Sequence, residues 1–478
     1  MTKEIVVTDK TAAQPAAPAP PIAPRAAWGV LAVVTGALFL EGIDIAMLNV
    51  AVPSIAADIG LETGSAHWVV SAYVLAYGGF MILGGRVADL VGRRQVFLVA
   101  LTVFIAFSAL GGLAQDAWVL VLVRFITGAT AGFMTPAGFG LLTTSFAEGS
   151  ARNRALAIYG AIGASGFLLG VVAGGLLTSV DWRWVFFAPA LIGAAFLAAG
   201  AAFIPRESSA RPHPRPRFDL GGAITLTGAM VAVIFGVVTV GEDRESVGGY
   251  VAIAIAAALL VAFAGIERRT ADPLIPTGVL TRGMLPWAST IGLLFIGSFF
   301  AWQFLLTLYL QEHLGWSPLE TGLTFAAMGI ELLVAPVLTP RLVDRFGNVA
   351  VMLAGLVAVT VAFALTLRLD DTSVYAGLLP SMLLLGLAFA LIYGPLAAAA
   401  VEGVDEADHG VGGGVVYTGF QFGAALGVSL GTIVLVAGST AVPALEDYQR
   451  ALLVPAIGAV IAAGLGAVSV VRHRQVST

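Results

Sequence analysis

The sequence predicts an all-α polytopic membrane protein with fourteen transmembrane helices, and three observations carry that prediction. The first is composition: of 478 residues, 58% are hydrophobic and 11% charged, and the mean hydropathy is +0.94. In water such a chain would leave large apolar patches uncovered, so its solvent is largely lipid. The second is run length. A hydrocarbon core of about 30 Å takes ~20 apolar residues per helix, and lipid offers no partner to a free backbone N–H or C=O, which leaves only helices or closed barrels. Helix-length apolar stretches recur at 28–50, 68–86, 95–115, 117–140, 155–178, 184–204, 219–240, 248–267, 284–310, 319–340, 348–368, 373–398, 410–438 and 449–471. The third is the placement of basic residues. With fourteen crossings, nineteen of the 24 lysines and arginines fall in one set of loops and tails. Only Arg183, Arg244, Arg368 and Arg450 fall in the other set, and Arg124 stays inside a helix. Basic loops mark the cytoplasmic side, so both termini are expected there, in a multi-pass protein of the inner (cytoplasmic) membrane.

Taken in order, residues 1–27 are rich in Ala, Pro and Thr and read as a disordered cytoplasmic tail. No apolar core follows the early lysines before Trp28, so the tail is not a signal peptide. An N-terminal six-helix bundle spans 28–204. The segment 205–218, with Arg206, Arg211, Arg215 and Arg217 among prolines, reads as a cytoplasmic linker. Two extra helices occupy 219–267, a second basic linker 268–283, a C-terminal six-helix bundle 284–471, and a cytoplasmic tail 472–478. The composition also excludes chemistry. There is no cysteine for a disulfide or thiolate metal site, and the five histidines show no metal-ligand spacing. No P-loop, no soluble domain and no nucleophile–base constellation are present. Neither a cofactor nor an enzymatic activity nor a nucleic-acid partner is expected.

Between the second and third spans runs Gly85-Arg-Val-Ala-Asp89-Leu-Val-Gly92-Arg93-Arg94. Its glycines permit a tight helix-to-helix turn. Asp89 can favour a neighbouring helix N-terminus or pair with an arginine, making a contact that forms in one conformation and breaks in another. The plainer alternative is an ordinary positive-inside loop. The segment resembles the signature of the major facilitator superfamily, G-x-x-x-D-x-x-G-R-R/K. A degenerate echo, Pro340-Arg-Leu-Val-Asp344-Arg345-Phe-Gly347, stands at the corresponding place in the second half, as a parallel internal repeat predicts.

Further motifs resemble the fourteen-helix drug:proton antiporters of that family. Asp44, Asn49, Ala51 and Pro53 match D-x-x-x-x-N-x-A-x-P, and Leu120–Gly128 matches the fourth-helix motif with its intramembrane Arg124. Gly166, Gly170, Gly174 and Gly175 match the fifth-helix glycine motif of exporters, with Val171 where proline is usual; Trp182-Arg-Trp also fits the group. The resemblance implies a major facilitator fold of two six-helix bundles plus two additional helices. It also implies proton-coupled efflux of lipophilic drugs or antibiotics, with a dedicated exporter of one metabolite as the alternative. Protons, the bilayer and small lipophilic substrates, cationic ones among them, are the expected partners of a monomer.

The residues support part of this without the family. An ionised carboxylate at the centre of a bilayer costs on the order of 3 kcal/mol on insertion scales. Glu41 and Asp44, three residues apart, share one helix face, and Arg124 lies at similar depth. The Asp44–Arg124 pair reads either as a fixed structural strut or, with Glu41, as a proton-coupling site; Glu41 alone fits a packing role as well. Glu331, near the middle of the tenth span, reads as a cation ligand, a second proton site or a structural glutamate. Gly160, Gly163, Gly166, Gly170 and Gly174 cover an arc of about 120°, and Gly419, Gly423, Gly427 and Gly431 repeat the device, so close helix contact is expected. Trp302, Gln303, Tyr309, Tyr393, Tyr417 and Gln421 fall where a two-half transporter lines its cavity, and are candidates for substrate contact.

Overall fold

In the computed structural model the residues described are 24–61, 63–146, 150–206, 219–242, 245–270, 278, 283–369, 375–402, 409–437 and 443–477. They form fourteen long helices and, among them, no strand. In chain order these are α1 (Pro24–Ile59), α2 (Trp68–Val91), α3 (Arg93–Gly112), α4 (Ala117–Ser145), α5 (Ser150–Val180), α6 (Trp184–Phe203), α7 (Leu220–Glu242) and α8 (Val247–Glu267). Then come α9 (Leu285–Leu308, continued by a π turn Tyr309–His313) and α10 (Pro318–Ala326 and Ile330–Phe346 around a 3-10 turn, Ala327–Gly329). The last four are α11 (Asn348–Thr366), α12 (Tyr375–Val401), α13 (His409–Val436) and α14 (Leu445–Ser477). Most of the expected N-terminal tail and of the two linkers lies outside the described residues.

Local sequence explains the joints. Gly92 at φ 115° and Gly347 at φ 81° turn α2 into α3 and α10 into α11 with a single residue, a backbone state that side chains other than glycine's rarely adopt. These are the last glycine of the signature segment and that of its echo. α1 does not stop near Val50 as expected but runs through Pro53 to Ile59. Asp58 on its last turn accepts hydrogen bonds from Trp182 Nε1 at 3.0 Å and Arg183 Nη1 at 2.8 Å, tying that end to the α5–α6 turn.

Glycines set the closest crossings, because lipid supplies no hydrophobic drive for helices to associate and small residues let backbones touch. A β-carbon on Gly166 would lie 2.6 Å from Phe39 O, one on Gly170 2.8 Å from the Ile43 backbone, and one on Gly174 2.6 Å from Met47 Cα. So the glycine face of α5 lies flat on α1. Gly423 and Gly427 of α13 lie in the same way on Leu293 and Gly297 of α9. The α1–α5 and α9–α13 crossings therefore stand as equivalent pairs of a parallel repeat. Between the two sets, α7 leans on both α2 and α13. Thr227 Oγ1 donates to Gly79 O at 2.6 Å, and Ala223, Leu226 and Met230 pack on Ile82, Leu83, Val415 and Phe422. α8 is the outermost helix, with Val251, Ile255 and Val261 exposed.

Gly170→Val is expected to destabilise the protein by about 1–3 kcal/mol through overpacking of the α1–α5 crossing. Gly265→Ala on α8, where an added β-carbon meets nothing within 4 Å, should keep or raise stability, by up to about 1 kcal/mol. Thermal unfolding of the two variants in detergent checks both.

Candidate functional site

The membrane-buried charges converge on the arginine-poor half of the first six helices. Glu41 and Asp44 are each 2% exposed and Arg124 1%. Arg124 Nη1 donates to Asp44 Oδ2 at 2.7 Å. Its Nε donates to Val69 O at 3.1 Å, and its guanidinium sits 4.3 Å from the centre of the Tyr73 ring. The arginine thus joins α1, α2 and α4. Glu41, one turn away, has neutral partners: Tyr77 Oη donates to its Oε2 at 2.8 Å and Thr135 Oγ1 at 2.7 Å. The two hydroxyls are themselves 2.7 Å apart. Chemically, the set offers two carboxyls and one fixed cation shut off from solvent, with a hydroxyl pair of which Tyr77 is buried and Thr135 half-buried. Asn49 is fully buried on the same helix, bonded through Nδ2 to Ile45 O at 2.9 Å.

Sequence reasoning did not single out Tyr73, Tyr77 or Thr135. The signal available was the spacing of Tyr73 and Tyr77, one helical turn apart in a span that already carries Ser71.

The candidate substrate residues divide. Trp302 is fully buried, its Nε1 donates to Thr366 Oγ1 at 3.1 Å and it stacks on Phe363. Tyr309 is also fully buried, stacked on His313 and edge-on to Tyr448. Both sit in the core of the last six helices. Gln303 is buried with neither amide atom hydrogen-bonded. Tyr393 and Tyr417 meet through their hydroxyls at 2.9 Å beside Phe420, and Tyr393 stays 37% exposed. Gln421 lies against Gly78 of α2, across the seam.

Glu331 begins the second segment of α10, directly after the 3-10 turn. It lines a narrow cleft with Phe167 of α5, Phe299 of α9 and Phe389 of α12. Among the described residues, none hydrogen-bonds to its carboxylate.

The two sets of six helices meet most closely toward the arginine-poor end. Gln311 Nε2 donates to Val50 O at 2.9 Å. A β-carbon on Gly175 would lie 2.5 Å from Pro318 O, and one on Gly322 2.7 Å from Val171 O. So Gly175 belongs to the contact with α10, unlike Gly166, Gly170 and Gly174. The second segment of α10, by contrast, contains no buried residue. At the arginine-rich end, Arg93 Nη1 donates to Gly140 O at 3.0 Å. Arg94 donates to Ile204 O at 2.9 Å and Ala201 O at 3.2 Å, so it caps the C-terminus of α6, where a cation is favoured. A β-carbon on Gly85 would lie 3.6 Å from Pro136. The Asp89 side chain lies outside the described residues.

A multi-pass bundle of two repeated helix sets, enclosing buried charges on one side and an aromatic-lined acid at their junction, defines a membrane transporter. The chain belongs to the Major Facilitator Superfamily, whose profile matches residues 34–427 and 288–477. It is 36% identical over 416 residues to the puromycin resistance protein of Streptomyces alboniger, covering 85% of this chain and 81% of that one. It is 33% identical over 413 residues to the lincomycin resistance protein of Streptomyces lincolnensis, covering 85% and 84%. In fold it matches the POT family transporter PepTSo, with a TM-score of 0.68 at 15% identity over 95% of this chain and 99% of that one.

Arg124→Ala strands the Asp44 carboxylate in the protein interior and is expected to cost about 3–5 kcal/mol of stability. Combining it with Asp44→Asn should recover most of that loss. A double-mutant cycle on thermal unfolding measures the coupling.

Proposed function

We propose that the chain is a secondary active exporter that moves lipophilic drugs or antibiotics out across the cytoplasmic membrane in exchange for protons. One observation carries this reading: two carboxyls, Glu41 and Asp44, are buried beside a single fixed cation, Arg124. With every group ionised the set would hold an unbalanced negative charge in low dielectric, which is costly. One proton on the carboxyl pair neutralises it. Losing or gaining that proton then changes whether Asp44 holds Arg124, and with it how α1 is fastened to α2 and α4. A site that must take up and release one proton is what coupling requires. The relatives named for resistance to puromycin and lincomycin support the substrate class.

In this reading the arginine-rich end faces the cytoplasm, along with both termini. Helices α1–α6 and α9–α14 form the two rocking bodies, bounded at 28–204 and 284–471, with α7 and α8 as an accessory pair. The close contacts at the arginine-poor end then correspond to an inward-facing state. Alternating access breaks Gln311–Val50 and the Gly175–Pro318 contact, and closes the opposite end. Gly85, Asp89, Gly92, Arg93 and Arg94 act as the latch there. Glu331, walled by three phenylalanines, recognises the cationic part of a substrate by charge and ring faces. A gradient of one pH unit supplies about 1.4 kcal/mol per proton and 100 mV about 2.3 more, enough for roughly a 500-fold gradient of a neutral substrate.

The test is reconstitution in liposomes with an internal pH dye, adding ethidium and then a neutral antibiotic. Wild type should show substrate-evoked proton movement, and Asp44→Asn should abolish it while binding persists. Full proton movement in Asp44→Asn would overturn the coupling site. Glu331→Gln should slow transport of ethidium several-fold more than that of the neutral compound. Equal slowing would remove Glu331 from cation recognition.

A further inference from the structure

The α7–α8 hairpin touches both sets of six helices, and it touches them differently. It is first of all a unit in itself. A β-carbon on Gly236 of α7 would lie 2.8 Å from Gly249 O of α8, and one on Gly249 2.9 Å from Val240 N. Toward the other end of the pair, Phe263 of α8 packs on Ala223, Leu226 and Met230 of α7. Backbone contact at one end and packed side chains at the other hold the two helices together.

Against the first set, α7 lies along α2 over most of its length. The rings of Phe235 and Trp68 are 6.2 Å apart near the arginine-poor end. Thr227 Oγ1 donates to Gly79 O at 2.6 Å in the middle, and Ala223, Leu226 and Met230 reach Ile82 and Leu83 toward the arginine-rich end. The central bond is distinctive. A helical threonine ordinarily bonds back to a carbonyl one turn earlier, as Thr225 and Thr239 of the same helix do to Gly221 O at 2.7 Å and Phe235 O at 2.8 Å. Thr227 crosses to α2, where Gly79 has no side chain to keep it away. In lipid, bonds of this kind fasten one helix to another.

Against the second set the contact is shorter and less filled. Val415 and Phe422 of α13 pack on α7, both in the arginine-rich half of their helix. Beside them a groove of about 340 Å³ separates Val233 of α7 and Leu260 of α8 from Leu293 of α9 and Gly419 of α13. Protein interiors are otherwise close-packed, and a gap forfeits the contacts its walls would make. Toward the arginine-poor end α13 meets α2 directly, with Ser71 Oγ and Ser429 Oγ buried 3.5 Å apart.

We propose that the hairpin is a strap fixed to the first set: it travels with α1–α6 and slides over α9 and α13 as the two bodies rock. The proposal rests on the export reading above and adds to it the body to which the accessory pair belongs. When the arginine-poor end opens, Ser71 leaves Ser429 while Phe235 keeps its place on Trp68, and the groove beside Val415 and Phe422 changes its width.

The absence of cysteine from the chain makes paired thiols specific. Gly79→Cys with Thr227→Cys joins α7 to α2 by a disulfide, since a β-carbon on Gly79 would lie 3.6 Å from Thr227 Cγ2 and a disulfide needs β-carbons about 4 Å apart. Leu226→Cys with Val415→Cys joins α7 to α13 through a short bis-methanethiosulfonate. Trp68→Cys with Phe235→Cys, linked by the same reagent, repeats the first test without touching Thr227. Each protein is reconstituted in liposomes, and ethidium transport is measured with the link formed and again after reduction, so every variant is its own control for folding. Both links between α7 and α2 are expected to leave the rate at that of the reduced protein. The link between α7 and α13 is expected to slow it several-fold, with recovery on reduction. Slowing by the links to α2, or unimpeded transport with the link to α13 in place, would overturn the strap. Ethidium transport without proton movement would reject the antiport reading and leave the comparison of the links intact, so the two failures are separable.

Discussion

A charge buried among helices in lipid has to be met by the protein itself, and α1 carries two. Ion pairing of Asp44 with Arg124 at 2.7 Å answers one of them and dictates much else. To reach Asp44, Arg124 crosses from α4 beneath α2, where it also takes the Val69 carbonyl and the face of Tyr73. Three helices are then held by one guanidinium, whose donors are all directed rather than diffuse. Glu41 is answered from the same two neighbours, through Tyr77 of α2 and Thr135 of α4. With the carboxylate face of α1 committed to α2 and α4, its opposite side must be covered by something that needs no polar group. The glycine face of α5 meets that need: Gly42 and Gly166 bring the two backbones into contact there.

The second half retains the packing device and discards the charge. Gly297 of α9 meets Gly423 and Gly427 of α13 much as Gly42 meets Gly163 and Phe167 of α5. Relative to that glycine, Ile296 and Phe299 occupy the places that Glu41 and Asp44 occupy relative to Gly42. Both are buried, and Phe299 packs against the rings of Phe300 and Phe389. Repetition therefore preserves what lipid demands of every helix crossing, while the ionisable groups of the crossing appear on one side only. The acid of the second half, Glu331, is placed by a different device, the 3-10 turn that interrupts α10 at Ala327–Gly329.

What could be read in the sequence follows from how costly the alternative is. Fourteen spans were legible because uncovered backbone is forbidden in lipid, and the turns at Gly92 and Gly347 because few residues tolerate positive φ. Asp44 and Arg124 could be matched because isolated charges at that depth have few other partners. Thr135 could not, since a threonine hydroxyl on a helix can bond its own backbone and so announces nothing, and Tyr77 could not, since a tyrosine in a membrane helix reads equally well as core or interface anchor. Trp302 and Tyr309 illustrate the opposite difficulty. Periodicity places both on α9, but an aromatic facing the core and one facing a cavity look alike until Thr366 and Tyr448 are seen beside them. The end of α1 was expected at Val50, nine residues short, because the anchor that carries the helix on to Ile59 is a distant turn holding Trp182 and Arg183.

Coupling between the two acids needs an element that touches both and can shift as a unit. α5 satisfies the first condition at one residue. Gly42, between Glu41 and the Asp44 turn, presses on the backbone of Phe167, and the side chain of Phe167 forms a wall of the Glu331 cleft and packs on Phe299 and Phe300. The second condition follows from the contacts further along the same helix. Gly170 and Gly174 let α1 rest on α5 without interlocking side chains, whereas Val171 and Gly175 set α5 directly on the first segment of α10. In the proposed exchange of substrate for protons, a change in how Asp44 holds Arg124 would reseat α1. Helix α5 touches α1 through Gly170 and Gly174, the first segment of α10 through Val171 and Gly175, and the Glu331 cleft through Phe167, so it is the element placed to carry that change to both.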